Sequence, residues 1–535
     1  MSEGLATTFQ VLTQTPNEAA VRALTAVLDS PLEPIRRQAL ETLIARRTSG
    51  GKREVLARID QLDEKGLAFF RARAARMTST LRAAVLDAND PLRNNACRAA
   101  LLLNEVDLIP ALVSVLEDHQ DPDRAQIAGV LMELAKCLAD QLHDPQAPSG
   151  HRDPRAVRDN VLGALERAIR QFTRHDRPEL AEAFALLVPA SNAVLTQTLN
   201  SSGNPATALL LEQFTRNPHP AILQLVLDLF DDPKAPMAVI TAVARRADLD
   251  FVQRLLRKTA GEPAPAMRKN LKRVHSLAWL QGDAALIDQL SDEEQAAALN
   301  LGMLTKTPRD QLFRLIRHLL QHGGQRARRA AARALEQFNG KEANELTLQS
   351  LDDPDPFVQA AILGHLRQRG IPGVMPRLVE MARSPHQVVR EAAQENLGEF
   401  SFDRYREAYG MLDDDVRRST GEMVKNVDPF TVPLLREELA HASRARRLRG
   451  IEMAVNLELV DQVDHELATL AEDEDLIVRL EAVAALSRAT SPESDRVLRE
   501  AAKDPNERVR DAARRSLEER NVVSQWMEIW GSPDR

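Results

Sequence analysis

The sequence predicts an all-α protein: a right-handed α-solenoid, or superhelix, of about fourteen to sixteen stacked helical hairpins. Three observations favour this fold class. The 535 residues exceed the roughly 250–300 that one hydrophobic core supports, so the chain forms several domains or a repeat array. Aromatic residues make up only 4% of the chain and charged residues 28%, which is typical of exposed amphipathic helices packed on one another. A pattern of about thirty residues also recurs along the chain.

The repeat is clearest in the C-terminal third, where three segments share one spacing. They are SPHQVVREAAQENL from Ser384, DEDLIVRLEAVAAL from Asp473 and DPNERVRDAARRSL from Asp504. Aligning the apolar residue that precedes an Arg or Gln predicts equivalent positions at Val358, Val389, Val416, Leu448, Val478 and Val509. The same pattern opens the chain at Ile35 and returns at Val157. This recurrence predicts one structural unit per repeat.

Each repeat has the residue pattern of a helical hairpin. In the second helix, an apolar residue, an Ala four positions later and a Leu eight positions later share one stripe, as at Val478, Ala482 and Leu486. The small Ala lets the neighbouring helix approach closely. An apolar run before the turn, such as VMPRLVEMAR or RVLREAAK, predicts the first helix. The predicted N-caps of the second helix, each followed by Pro, are Ser30, Ser384 and Asp504.

The pattern D/S-P-x-x-x-V-R-x-x-A-x-x-x-L resembles the HEAT-repeat family, especially the short HEAT-like repeats of the phycobilin-lyase type. The resemblance is strong over 350–520, fair over 18–170 and poor over 175–345. It implies a solenoid of HEAT-like helical hairpins. Such repeats serve scaffolds, adaptors and a few enzymes, so the resemblance implies a fold far more specifically than a function.

The resemblance also implies a ladder between successive repeats, in which an acidic turn residue partners the Arg six residues later. The matching pairs are Asp473 with Arg479 and Asp504 with Arg510. The ladder is expected to be incomplete because three positions depart from the pattern. Ser30 and Ser384 replace the acid, and Gln359 replaces the Arg opposite Asp353.

The chain is predicted to divide into four segments: N-terminal HEAT-like repeats (1–175), divergent basic central helical repeats (176–345), C-terminal HEAT-like repeats (346–520) and an amphipathic cap or tail (521–535). HDPQAPSGHRDP, at 143–154, predicts a long exposed loop that proteases cut first near Gly150. SSGNP, from Ser201, predicts a second break. In the tail, an apolar stripe of Val523, Trp526, Met527 and Trp530 predicts either a cap on the last repeat or a helix for partner docking or self-association.

Composition excludes several classes of protein. Cys97 and Cys137 are too few for a disulfide framework and lie in apolar helical runs, so we expect small buried side chains. The first residues lack the pattern of a secretory signal, and no run of about 18 apolar residues would span a membrane. These observations predict a cytoplasmic protein. The net charge of -8 suits solubility and disfavours a general affinity for nucleic acid.

A search for chemistry yields no catalytic residues, no cofactor and no metal site. His318 and His322 have a spacing that would hold a metal from one helix face, but no third ligand accompanies them. Two enzymatic alternatives come from resemblance alone: a bilin lyase, and a HEAT-like alkylpurine DNA glycosylase. The second would use Trp279 and Asp283, four residues apart. A lone Trp is more often part of the core.

Charge is uneven along the chain, and this unevenness is the main indication of a partner type. Between Arg245 and Arg333, seventeen Lys or Arg residues accompany nine Asp or Glu residues. This segment predicts either a site for an anionic partner (nucleic acid, anionic lipid or an acidic protein) or simply solvated helix faces. The candidate binding residues are Arg254, Arg257, Lys258, Arg268, Lys269, Lys272, Arg314, Arg317, Arg326, Arg329 and Arg333. Aromatic residues are not interleaved, so base stacking on single strands is not expected.

Taken together, the sequence predicts a non-catalytic scaffold or adaptor that binds protein partners on the solenoid surface. A scaffold that binds a polyanion through the basic segment is the first alternative, with only weak binding of nucleic acid expected. A HEAT-like enzyme is the second.

Overall fold

The computed structural model describes residues 3–118, 120–143, 153–201, 203–281 and 284–530, with side chains described as far as Glu518. Throughout these residues the regular secondary structure is helical, and they contain no β-strand. The all-α prediction is confirmed. The chain forms two compact units, Met1–Leu315 and Ile316–Arg535. The predicted division into four segments stays a prediction.

The first unit contains nineteen complete α-helices in its described part. They are α1 (Glu3–Gln14), α2 (Ala19–Val27), α3 (Glu33–Ala45), α4 (Ser49–Ala57), α5 (Glu64–Arg71), α6 (Thr78–Leu86), α7 (Arg93–Leu103), α8 (Ile109–Glu117), α9 (Arg124–His143), α10 (Pro154–Arg170), α11 (Phe172–His175), α12 (Pro178–Leu187), α13 (Ala193–Asn200), α14 (Pro205–Arg216), α15 (Pro220–Phe230), α16 (Met237–Arg245), α17 (Leu249–Thr259), α18 (Pro265–Leu271) and α19 (Asp292–Leu304). The boundary between the units falls within α20 (Arg309–His322).

The second unit continues the same architecture. Its helices are α21 (Gln325–Leu335), α22 (Lys341–Ser350), α23 (Pro356–Leu366), α24 (Val374–Met381), α25 (Gln387–Asn396), α26 (Phe402–Ala408), α27 (Asp414–Val427), α28 (Thr431–Leu439), α29 (Arg444–Asn456), α30 (Asp464–Leu470), α31 (Leu476–Leu486), α32 (Pro492–Ala501) and α33 (Glu507–Trp530). Single turns of 3₁₀-helix across both units span Ile59–Gln61, Ala74–Arg76, Val106–Leu108, Ala278–Leu280, Ile287–Gln289, Arg367–Arg369, Gly398–Phe400, Tyr409–Met411 and Val460–Gln462.

Within each unit the helices stack as a solenoid. In the first unit α10 packs on α12, α12 on α14, and α14 on α16. In the second unit α28, α30 and α32 pack against their hairpin partners α29, α31 and α33, while α29 packs on α31 and α31 on α33. Contacts between hairpin partners and between equivalent helices of successive hairpins are the packing of a repeat solenoid. The handedness stays a prediction.

The predicted apolar stripe forms the core of the second unit. Val478, Ala482 and Leu486 are completely buried, and Val509 and Ala513 repeat the arrangement one hairpin later. Full burial of a Val or Leu side chain stabilises by about 1.5–3 kcal/mol. Because each stripe is shared between neighbouring hairpins, no hairpin buries its apolar face alone.

Two positions of the predicted alignment are wrong. Val416 is 44% exposed, and Leu448 is only partly buried. In α29 the buried residues Gly450 and Ala454 take the places that Ala482 and Leu486 occupy in α31. The error at Leu448 arose because several arginines follow one another at the start of α29, so aligning on the apolar residue before an Arg selected the wrong register.

The predicted N-caps lie two residues too early. Helices α3, α25 and α33 begin at Glu33, Gln387 and Glu507. Ser384 Oγ instead accepts a hydrogen bond from the His386 N–H at 3.3 Å. Asp504 Oδ1 accepts one from the Asn506 N–H at 2.7 Å. These side chains close a turn before the helix, because Ser and Asp readily bond the N–H two residues on. Ser30 bonds the Leu32 N–H in the same way.

Of the two predicted breaks, the one near Ser201 is present: α13 ends at Asn200 and α14 begins at Pro205. Gly203 between them has φ +94°, a backbone conformation that favours glycine. The other predicted loop, including Gly150, lies outside the described residues apart from its ends in α9 and α10.

Candidate partner-binding surfaces

A ladder of arginines and aspartates connects three successive hairpins of the second unit. Arg447 Nη2 donates to Asp473 Oδ1 at 3.1 Å, and Arg479 Nε lies 3.3 Å from Asp504 Oδ2. Each Arg also binds the main chain of its own turn: Arg479 Nη1 donates to the Asp473 carbonyl at 2.6 Å, and Arg510 Nη1 to that of Asp504 at 2.9 Å. The carboxylate thus pairs with the Arg of the preceding hairpin, whereas the Arg six residues later binds its carbonyl.

The ladder is incomplete where the sequence departs from the pattern. Arg390 Nη1 donates to the Ser384 carbonyl at 2.9 Å, but Ser384 offers no carboxylate to the hairpin before it. Gln359 Nε2 replaces the guanidinium and donates to the Asp353 carbonyl at 2.9 Å. The Asp353 carboxylate still pairs with Arg328 at 2.9 Å. The ladder residues are therefore engaged in holding hairpins together.

Beside this ladder, a groove of about 700 Å³ runs between α29 and α31. Its apolar surface comes from Leu448 and Val455 on α29, and from Ile477 and Ala484 on α31. Ile477 is 39% exposed, although it is a large β-branched side chain at the start of a well-packed helix. Apolar side chains that are exposed or only partly buried and cluster in a groove are typical of a binding surface.

The groove has both engaged and available charges. Arg417 at one end is engaged: it lies 3.0 Å from Glu452 Oε1 and 3.1 Å from Asp414 Oδ1. Arg449 and Arg488 are exposed, and neither has a carboxylate partner in the part of the chain that the structure describes. The carboxylate of Glu481, also exposed, lines the same groove. Available charges of both signs thus flank an apolar surface.

The tyrosines beside the groove are structural. Tyr405 and Tyr409 pack edge to face with ring centroids 5.4 Å apart, and Tyr405 OH donates to the Arg417 carbonyl at 2.9 Å. Asn456 Nδ2 donates to the Tyr409 hydroxyl oxygen. Burial raises the pKa of Tyr409 to about 12 and raises that of Tyr405 further. Both phenols are therefore protonated at neutral pH and serve in packing.

The predicted anion-binding residues fall in both units, and most of them are paired with carboxylates. The apolar side chains that alternate with them, Phe251, Leu255 and Met267 among them, are buried. Pairing in the first unit joins Arg254 to Asp250 (3.0 Å), Arg257 to Glu294 (3.8 Å), Lys258 to Asp228 (3.3 Å), Arg268 to Glu262 (2.7 Å) and Arg314 to Asp310 (3.3 Å). In the second unit, Arg317 pairs with Glu342, and Arg329 with Asp355 at 2.5 Å.

The other four candidates are all exposed. Lys269, Lys272 and Arg333 are exposed without a carboxylate partner among the described residues, and Arg326 is exposed on the same helix as Arg333. Arg268, Lys269 and Lys272 line one open notch of about 610 Å³ in the first unit. Anion binding by the whole segment stays a prediction. In the first unit, fewer basic side chains are free of ion pairs than the sequence indicated.

Residues considered for chemistry occupy ordinary structural positions. His318 and His322 have ring centroids 5.1 Å apart. Across the described residues, no group of three or more His, Cys, Asp or Glu is placed to hold a metal ion. Trp279 is only 3% exposed, so its ring is part of the core; Asp283 lies outside the described residues. Cys97 is buried as predicted, whereas Cys137 is half-buried.

The C-terminal tail continues α33 as far as Trp530. The side chains of Trp526, Met527 and Trp530 lie outside the described residues, so their assignment to partner docking or capping stays a prediction. No helix in the described part of the chain is both long enough and apolar enough to cross a membrane.

Comparison with known families identifies the repeat. Residues 312–398 match the family described as HEAT repeats. Over these residues the chain is similar to HEAT repeats. The match confirms the resemblance on which the repeat was predicted, and the phycobilin-lyase type stays a prediction. No curated protein sequence matches the chain.

Three solved structures to which the chain is similar are the following. One, described as showing a phosphorylation switch in the interaction between cadherin and beta-catenin, has 15% identity and a TM-score of 0.32, covering 93% of this chain and 98% of that one. A homology model of the full-length AP-3 complex has 11% identity and a TM-score of 0.33, covering 96% and 93%. The karyopherin Kap121p bound to the SUMO protease Ulp1p has 10% identity and a TM-score of 0.23, covering 94% and 71%.

Proposed function

We propose that this protein is a non-catalytic scaffold that binds protein partners on the exposed surface of its helical hairpins, in the cytoplasm. The observation that carries the proposal is the groove between α29 and α31. An apolar surface that includes the exposed Ile477 lines this groove together with Arg449 and Arg488, whose guanidiniums are available to a partner. A polypeptide segment would place an apolar side chain on that surface and an acidic side chain against each guanidinium.

The engagement of the reactive side chains also supports a scaffold. The ladder arginines and aspartates bond one another and the turn carbonyls, and the tyrosines beside the groove are protonated. An enzyme would need a nucleophile, a base or a metal ligand set held in geometry around an open position. The residues that resemble a bilin lyase are those of the ladder and the stripe, which are already used in packing. Trp279 is equally unavailable to a flipped base.

The experiment is affinity capture from native lysate on the immobilised full-length protein, with bound proteins identified by mass spectrometry. We expect at least one protein to be retained in near-stoichiometric amount. The substitution Ile477→Glu places a charge on the apolar surface of the groove, and Arg449→Glu with Arg488→Glu reverses both available cations. Each change should release that partner.

Matched controls separate the groove from general effects of charge. Phe430 is 66% exposed and lies outside the groove, so Phe430→Glu should leave capture unchanged. Arg404 and Arg514 are exposed in the same unit, and Arg404→Glu with Arg514→Glu changes the net charge as much as the groove pair does. The proposal fails if the wild-type protein retains no partner, or if the control variants release it as the groove variants do.

A further inference from the structure

We propose that one edge of the first unit binds an acidic polypeptide segment that carries an apolar side chain. The edge consists of Lys234, Lys269, Lys272 and Lys306, with the exposed Met237 among them, and is called the lysine edge below. This inference rests on the proposed scaffold function and names one surface and one class of partner for it. Only Lys269 and Lys272 belong to the anion-binding residues that the sequence indicated.

Two hydrogen bonds between hairpins bring these lysines to one edge. Arg273 Nη1 donates to the Ala235 carbonyl at 2.9 Å, which joins the end of α18 to the turn that carries Lys234. The Lys306 N–H donates to the Val274 carbonyl at 2.8 Å, which joins the turn after α19 to the same end of α18. The residues come from three places in the sequence but from neighbouring turns of the stack.

Asn270 fixes the first of these junctions from inside. It is completely buried, and its Nδ2 donates to the Phe230 carbonyl at 2.8 Å and to the Asp232 carbonyl at 2.7 Å. The end of α15 and its following turn are thereby held against α18. The packed backbone therefore fixes where the four lysines of the lysine edge begin, although their side chains are solvated.

The charge of the lysine edge is available to a partner. Lys234, Lys269, Lys272 and Lys306 are all exposed, and no described carboxylate forms an ion pair with any of them. Of the carboxylates in these turns, Glu262 pairs with Arg268 at 2.7 Å, and Asp232 Oδ1 accepts the Lys234 main-chain N–H at 2.7 Å without forming an ion pair with a described lysine. Four ammonium groups therefore face solvent on a chain whose net charge is -8.

The chemistry of the lysine edge favours an acidic protein segment over nucleic acid. Met237 is 59% exposed, and its Sδ lies 3.1 Å from Arg273 Nη2. An exposed Met beside cations can contact an apolar side chain of a protein partner, whereas a phosphate group would gain nothing from contact with a thioether. The guanidinium forks that favour phosphate are occupied, because Arg268 binds Glu262 and Arg273 binds the Ala235 carbonyl. Lysine ammonium groups remain, and these pair with carboxylates as point charges.

The test measures binding of defined probes to the full-length protein by fluorescence anisotropy. The first probe is a labelled peptide of about twelve Asp and Glu residues with one central Leu, long enough to follow a short surface edge. The second has Ser in place of Leu, and the third is a duplex DNA of about twenty base pairs. We expect the Leu peptide to bind more tightly than the Ser peptide and than DNA. Its affinity should fall as salt rises from about 0.05 to 0.2 M, because screening weakens exposed charge pairs.

Charge reversal locates the site. Lys269→Glu, Lys272→Glu and Lys306→Glu together should weaken binding of the Leu peptide about tenfold or more. The control is a triple reversal at exposed cations elsewhere in the same unit, with the same change in net charge. It carries Arg22→Glu, Arg76→Glu and Arg82→Glu, at positions without a described carboxylate partner, and should bind like the wild type. Unchanged circular dichroism and thermal midpoint confirm that both triple variants are folded.

Substitution of the methionine tests the second half of the proposal. Met237→Ser should weaken the Leu peptide severalfold and leave the Ser peptide unchanged. The inference is overturned if the wild type binds no peptide, if both triple reversals lose binding equally, or if duplex DNA binds more tightly than the Leu peptide. A protein that captures partners from lysate but not the peptide retains the scaffold function without the lysine edge. A protein that binds the peptide yet captures no partner retains the lysine edge alone.

Discussion

Removal of the Asp473 carboxylate should destabilise the second unit far more than removal of an exposed carboxylate. Asp473 and Arg447 have side chains only 9% and 12% exposed, and their charged atoms lie 2.9 Å apart. Breaking a buried ion pair by deleting one partner costs about 3–5 kcal/mol when the remaining charge is uncompensated. Here Arg447 keeps the Ala442 carbonyl at 2.9 Å, so the lower part of that range applies.

The same carboxylate also closes the turn before α31. Asp473 Oδ1 accepts the Asp475 N–H at 2.8 Å, and loss of such a local acceptor costs about 1 kcal/mol. We therefore expect Asp473→Ala to lower the free energy of unfolding of the second unit by about 3–4 kcal/mol. Asp473→Asn keeps the turn acceptor and loses the charge, so its effect should be smaller.

The assay is urea denaturation of the full-length protein, with hydrogen exchange followed in peptides from α29 to α31. The control is Glu345→Ala, because Glu345 is 58% exposed and lies 3.8 Å from an almost fully exposed Lys341. That variant should unfold within about 0.5 kcal/mol of the wild type. If Asp473→Ala were as mild as the control, the ladder would contribute nothing to holding the hairpins together.

Three further outcomes follow from buried groups. His365 is 4% exposed, its Nδ1 accepts from Arg369 Nε at 3.0 Å, and burial lowers its pKa. Since the unfolded chain binds that proton more readily, stability should fall as pH drops below about 6.5, and His365→Gln should flatten thermal midpoints measured across that range. Burial raises the pKa of Cys97 to about 11, so a thiol reagent at neutral pH should label it only after unfolding, as mass spectrometry would show. Arg446 and Arg406 hold the pKa of the fully buried Glu438 below its usual range, so its contribution to stability is lost as pH falls below about 4.3. Because Glu438→Gln leaves two partly exposed guanidiniums that water can solvate, it should cost about 1.5–3 kcal/mol in urea denaturation at neutral pH.

Sequence reasoning succeeded where a residue's role repeats with the period of the fold. The stripe of Val478, Ala482 and Leu486 predicted the buried face, because only one face of an amphipathic helix is removed from water. It failed where the identity of a residue was the only guide to its position in the repeat. Several arginines begin α29, and only packing distinguishes Arg447, which binds Asp473, from Arg449, which faces the groove.

The candidate surfaces were harder to predict because the sequence shows which residues are charged but not which of them are exposed and free of ion pairs. Arg246 belongs to the basic segment but is 1% exposed, and its Nη1 donates to the Phe214 carbonyl at 2.8 Å. Nothing in the sequence distinguishes Lys306 from other lysines, yet its main-chain N–H bonds the Val274 carbonyl and places it at the lysine edge. A pattern such as D-x-D, as in Asp473 to Asp475, would have located the helix starts more accurately, since the first Asp closes the turn and the second caps the helix.

The most direct test of the scaffold account is hydrogen exchange of the full-length protein with and without its captured partner. The account predicts slower exchange confined to exposed faces, in peptides that cover α29 and α31 around Ile477 and, for an acidic partner, in those that cover α18. Interior stripes such as that of α31 and α33 should already be protected in the free protein. Uniform exchange with and without the partner, or protection that avoids both surfaces, would contradict the claim that the partner binds these helix faces.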